Sequence, residues 1–167
     1  MSEAAGIISW LALLAFIASA LAAALSDAVR FLIPNRYPAT IALSFAVYAV
    51  AKPAPFWLPG LIVAAVALVV GAVLFARGIV GGGDVKLFSA TALWAGVDQF
   101  ALLAMTTALV GGVLALMRLL PLNGLVPARL AGLAPANDLA AKLHQPIPFG
   151  VAIACGGVCI ALSRLAT

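Results

Sequence analysis

Only five acidic side chains occur in this 167-residue chain, and two of them, Asp27 and Asp84, stand where long apolar stretches give way to loops. Asp84 closes a glycine run in the segment Arg77-Gly78-Ile79-Val80-Gly81-Gly82-Gly83-Asp84-Val85-Lys86. A carboxylate at the edge of hydrocarbon is costly and is read by default as functional. Two carboxylates held together in a poorly solvated site cannot both ionise comfortably, so the pair keeps one proton over a useful pH range. The ionised member can then activate a water, while the protonated one polarises an amide carbonyl and later helps the amine depart. Such chemistry calls for no cofactor and no metal. Gly81, Gly82 and Gly83 allow close approach of a second chain, so an extended peptide can lie beside Asp84.

Composition defines what must position these acids. Hydrophobic residues make up 66% of the chain and charged residues 8%, with a mean hydropathy of +1.24, far outside the range of ordinary soluble domains. The reading is an all-α, polytopic membrane protein, a single membrane-embedded domain over residues 1–167. The length accommodates a bundle of about six transmembrane helices of roughly 20 residues each. The start, Met1 to Gly6, lacks the positive charge of a secretory signal, and the first apolar run is expected to be retained as a helix. The formal charge of +4 comes from loop residues that act as orientation signals rather than as a nucleic-acid surface.

Six spans are expected: Gly6 to Leu25, Ala39 to Ala51, Gly60 to Ala76, Val85 to Val97, Phe100 to Met117 and Ile147 to Leu162. Pro34, Asn35 and Pro38 break the chain after the first, with Pro38 in the opening turn of the second. The fourth is only about 20 Å long as a helix and should begin at Asp84 itself. Asp98-Gln99 is read as the tight turn between spans four and five. The loop from Leu119 to Gln145 is expected on the membrane surface, with a short helix near Asn137 to Leu143. If the loops after spans one, three and five share a side, that side holds Arg30, Arg36, Arg77, Lys86, Arg118, Arg129 and Lys142, leaving Lys52 and Arg164 opposite. Seven against two is a positive-inside bias; it puts both termini outside the cytoplasm and Asp27 and Asp84 at one cytoplasmic depth.

These residues resemble a known family. Gly81-Gly82-Gly83-Asp84 matches the GxGD signature of membrane aspartyl peptidases, and Asp84-Val85-Lys86 followed by an apolar residue is similar to its form in type IV prepilin peptidases. Asp27, followed after five residues by Ile33-Pro34-Asn35, looks like that family's first catalytic block. Pro148-Phe149-Gly150 resembles an element at the start of its last helix. The resemblance implies a peptidase that cuts the short leader from prepilins and pilin-like proteins at the cytoplasmic face of the bacterial inner membrane, with Asp27 and Asp84 as the catalytic pair. This chain is expected to be without the N-terminal extension with paired CxxC motifs that the long members carry. It is similar to the small type associated with Flp or Tad pilus systems, which leaves the N-methyltransferase activity of the long members in doubt. The expected partners are prepilin or pilin-like substrate proteins and the lipid bilayer.

Plainer readings stand beside these. Asp84 can be a helix N-terminal acid favoured by the macrodipole, and Asp27 a juxtamembrane acid paired with Arg30. Lys86 either tunes Asp84 or anchors a headgroup, and Asn35 either bonds near the site or simply turns the chain. Asp98, Asp138 and His144 are read as loop residues, Pro148-Phe149-Gly150 as a helix start with close packing, and Cys155 and Cys159 as small packing residues. Trp10, Trp57 and Trp94 are expected at interfacial or lipid-facing positions. Other functions consistent with the sequence are a small proton- or ion-coupled transporter or channel subunit, whose acids would usually sit at mid-membrane, and an inactive pilus-assembly scaffold.

Overall fold

A computed structural model describes residues 3–51, 57–119 and 147–165. It contains five helices: α1 (Glu3–Arg30), α2 (Arg36–Ala51), α3 (Trp57–Ala76), α4 (Gly82–Leu119) and α5 (Phe149–Leu165). The segments 52–56 and 120–146 lie outside the described residues, and with them the surface helix expected near Asn137 to Leu143. Three helices, Glu3–Arg30, Trp57–Ala76 and Gly82–Met117, are long and apolar enough to cross a membrane, and Phe149–Arg164 is a shorter apolar helix.

In α1 the buried positions are Ser9, Ala12, Leu13, Phe16, Ser19, Ala20, Ala23 and Asp27. Their three- and four-residue spacing makes one stripe along the helix, and Asp27 is its last member. The acid therefore faces the bundle for the same reason that Phe16 does. Helix α1 runs past the apolar stretch to Arg30 and stops at Phe31, which takes a left-handed φ of 51°. The Phe31 amide still donates to the Asp27 carbonyl at 2.9 Å, so the chain leaves the helix four residues after the acid. Helix α2 starts at Arg36, three residues earlier than expected, with Pro38 inside its first turn, where a missing N–H costs nothing.

Helix α4 carries both the fourth and the fifth expected spans, and its contacts show how. As one straight rod its 38 residues would reach about 57 Å, nearly twice the roughly 30 Å hydrocarbon core. Gly96 instead has φ 59° and ψ −166°, a conformation that is essentially confined to glycine. Before it, Thr91 lies against Gly157 and the Trp94 carbonyl accepts a 3.1 Å bond from Arg164. After it, Gln99 donates to Ser163 at 2.7 Å, Leu103 and Thr106 abut Gly156, and Gly111 abuts Phe149 and Ala152. The first half thus runs parallel to α5 and the second half antiparallel. The reversal falls at Gly96, two residues before the Asp98-Gln99 turn read from the sequence.

Helix α5 packs against α1 and both halves of α4, α2 joins α1 to α4, and α3 lies against α4. Small residues make the tight crossings: a Cβ built at Gly60 of α3 would sit 2.5 Å from the Leu93 carbonyl oxygen. Trp94 corrects an expectation, because it is not lipid-facing but fully buried. Its indole stacks on Phe16 with centroids 4.7 Å apart, meets Phe45 edge-on at 5.8 Å and touches Tyr48 at 5.0 Å. Its Nε1 donates to the Ile41 carbonyl at 3.2 Å, the bond that lets a tryptophan be buried without an orphaned donor. Trp10 and Trp57 are exposed.

Candidate active site

The helix directions bring the end of α1, the start of the first half of α4 and the start of α5 to one end of the bundle. Asp27 is 6% exposed, and its Oδ2 accepts a 2.7 Å hydrogen bond from the Gly150 amide. Its bonded partner is thus the N-terminal backbone of α5 rather than Arg30. Asp84 occupies the first turn of α4, where the Gly81 amide donates back to its carboxylate, a bond of the kind an acid at this helical position makes. Its Oδ1 is buried and has no hydrogen-bond partner among the described residues. The two carboxyl groups are close enough for the charge of Asp27 to act on Asp84.

Gly81, Gly82, Gly83, Lys86 and Asn35, the site-shaping residues expected from the sequence, lie around this pair. Gly81 touches Asp84: a Cβ there would stand 2.8 Å from Oδ2. Gly82 faces the ring of Phe75 at 3.2 Å and Gly83 faces Ile33 at 3.0 Å from such a built Cβ. Lys86, one turn into α4, donates from Nζ to Asn35 Oδ1 at 2.9 Å, joining the loop after Asp27 to the helix that carries Asp84. Asp98 lies at the opposite end, exposed and within electrostatic range of Arg164. Asp138 and His144 lie outside the described residues. Cys155 and Cys159 are free thiols, and among the described residues no group of three or more His, Cys, Asp or Glu side chains could hold a metal ion.

Two members of the site were not assigned to it from sequence. Gly150 was read as close helix packing, yet its amide holds Asp27. Ile33 is buried with its Cβ against Gly83 and its Cδ1 3.0 Å from a Cβ built at Gly150, so it fills the space between the two arms. The signals were present in Ile33-Pro34-Asn35 and Pro148-Phe149-Gly150, but neither motif says which neighbour it touches.

The fold is an all-helical, apolar bundle of the membrane-protein class, with Asp27 and Asp84 at one end. The model of the type IV leader peptidase family matches residues 14–116, a stretch that contains Asp27, Asn35 and the whole Gly81-to-Lys86 segment. The chain belongs to the type IV leader peptidase family, and it is a membrane protein and a peptidase by that membership. No curated protein and no solved structure matches it significantly.

Proposed function

We propose that this protein is an aspartyl endopeptidase of the bacterial inner membrane that removes the short leader from prepilins and pilin-like proteins at the cytoplasmic face. Asp27 and Asp84 form its catalytic pair. The observation that carries the reading is that Asp27 and Asp84 come to one end of the bundle within electrostatic range of each other, Asp27 anchored by Gly150 and Asp84 with a buried, unpartnered Oδ1. An orphaned carboxylate oxygen in such a place is the acceptor that a reacting water needs.

A water between the acids loses a proton to the ionised carboxylate as its oxygen bonds to the scissile carbonyl carbon. The protonated partner gives its proton to the carbonyl oxygen, yielding a neutral tetrahedral diol. Collapse of the diol breaks the C–N bond: the proton first taken from water passes to the departing amine, and one diol hydroxyl returns its proton to the other carboxylate. The balance closes with one water consumed and one proton again held by the pair. Both acids lie at the rim of the bundle rather than halfway along it, which favours hydrolysis over an ion pathway. The six expected spans are supported by the reversal at Gly96, which turns one long helix into two passes.

Co-expression with a Flp-type prepilin tests the proposal by following pilin size on a gel. Asp27→Asn and Asp84→Asn each abolish leader removal while the protein remains inserted; full processing by either variant removes that residue from the catalytic pair. Chelators leave processing unchanged, because the paired acids activate water without a Lewis acid. Loss of activity on chelation, restored by a divalent ion, would overturn the metal-free scheme.

A further inference from the structure

Asp27 is anchored from outside its own helix, and the manner of that anchoring assigns a role to α5. The first amides of a helix have no intrahelical acceptor. At the start of α5 the Phe149 amide bonds the Ile147 carbonyl at 2.8 Å and the Val151 amide bonds the Pro148 carbonyl at 3.2 Å. Between them the Gly150 amide turns outward to Asp27 Oδ2 at 2.7 Å, across 123 positions of sequence. This bond engages one carboxylate oxygen in a buried, directional contact and fixes the rotation of the carboxyl plane. It also sits at the positive end of a 17-residue helix, where an anion is favoured.

The site admits only glycine at this point. A Cβ at position 150 would stand 2.8 Å from Asp27 Oδ2, 2.9 Å from Asp27 Cβ and 3.0 Å from Ile33 Cδ1, while Ile33 Cβ would stand 3.0 Å from a Cβ at Gly83. Gly150, Ile33 and Gly83 therefore form a filled row from the anchor of Asp27 to the neighbour of Asp84. Nothing in that row can widen without moving one acid relative to the other.

We propose that Gly150 is a positioning residue for the hydrolytic pair: its amide orients the Asp27 carboxylate, and its missing side chain, together with the Ile33 wedge, sets the separation between Asp27 and Asp84. This inference rests on the reading of those acids as the catalytic pair. A displacement of about 1 Å at a reacting group can cost on the order of 10²-fold in rate. Gly150→Ala therefore lowers kcat for prepilin cleavage by about that factor and leaves KM nearly unchanged, the signature of a lost transition-state geometry rather than lost substrate binding.

The full-length protein in proteoliposomes, with a purified prepilin, provides the assay. Wild-type kcat in Gly150→Ala overturns the proposal, as does a rise in KM alone. Adding Ile33→Val removes the Cδ1 that the new methyl would strike but leaves its contacts with Asp27 Oδ2 and Cβ, so kcat stays low in the double variant; full recovery would show that the contact of residue 150 with Asp27 carries none of the effect and overturns the proposal. Amide hydrogen exchange supplies a measurement that does not depend on the alanine variant folding. Asp27→Ala speeds exchange at the Gly150 amide about tenfold or more relative to Asp84→Ala, since it removes the acceptor that closes that amide; equal rates in the two variants overturn it. Asp27→Asn and Asp84→Asn are assayed in parallel. If those variants cleave, the peptidase reading fails whatever Gly150 does, and if they are inactive while Gly150→Ala is normal, the positioning role alone fails.

Discussion

Each acid at the site owes its place to a backbone group rather than to a countercharge. Asp27 takes the Gly150 amide and Asp84 the Gly81 amide, both at helix N-termini, where orphaned donors are available. A backbone amide is a neutral, directional donor, so it orients the carboxylate without placing a countercharge beside it. The nearby cation is engaged elsewhere: Lys86 Nζ bonds Asn35 Oδ1 at 2.9 Å. Both residues are exposed, so the bond adds little to global stability, about 1 kcal/mol or less. Its effect is local, because it ties the loop after α1 to the first turns of α4. Lys86→Met accordingly slows prepilin processing on the order of tenfold, equivalent to about 1.4 kcal/mol in the barrier, with a small change in melting temperature. Lys86→Arg retains a donor and most of the rate. A Lys86→Met variant with wild-type turnover would show that the bond merely decorates the surface.

At the scale of elements, the helices follow from hydropathy, and the boundaries the sequence misplaced have physical causes. The apolar runs, the breakers at Pro34 and Asn35 and the glycines before Asp84 mark α1, α2, α3 and the start of α4. The reversal was assigned to Asp98-Gln99 because polar residues between apolar runs read as a turn. What the chain uses is the positive φ of Gly96, which a lone glycine in an apolar run does not advertise. Trp94 was read as lipid-facing because hydropathy cannot distinguish lipid from protein interior; only the neighbours on α1 and α2 decide it. The Gly150 contact was invisible for a related reason, since a backbone donor carries no side-chain signature. The reversal gives its own prediction. Gly96→Ala meets no atom within 4 Å, so its penalty is purely conformational, about 1–3 kcal/mol, and thermal melts in detergent show a lowered midpoint. Gly112 is also in open space but helical, and Gly112→Ala is neutral or gains up to about 1 kcal/mol. Equal melting of the two variants would mean that residue 96 has no strained backbone to defend.

For the whole molecule, the fold makes the ends of the bundle unequal. One end gathers Asp27, Asp84, Lys86 and Asn35; the other joins Arg164 to the Trp94 carbonyl and Gln99 to Ser163. Because α1 runs toward the acids and α5 away from them, residues 3 and 165 both lie at the end remote from the site. Under the proposed function, the excess of Lys and Arg in the loops on the acid side is the signal that orients that end toward the cytoplasm, the side on which an uncleaved leader would be met. Replacing Cys155 and Cys159, the only two cysteines, with alanine gives a background for labelling. A membrane-impermeant maleimide applied to intact cells with a permeabilised outer membrane then modifies Asp98→Cys, an exposed position at the remote end. It modifies Arg77→Cys, exposed beside the glycine run, only after the inner membrane is opened. The reverse pattern would put the two acids on the outer face, away from any uncleaved leader, and a peptidase with that orientation could not act before export.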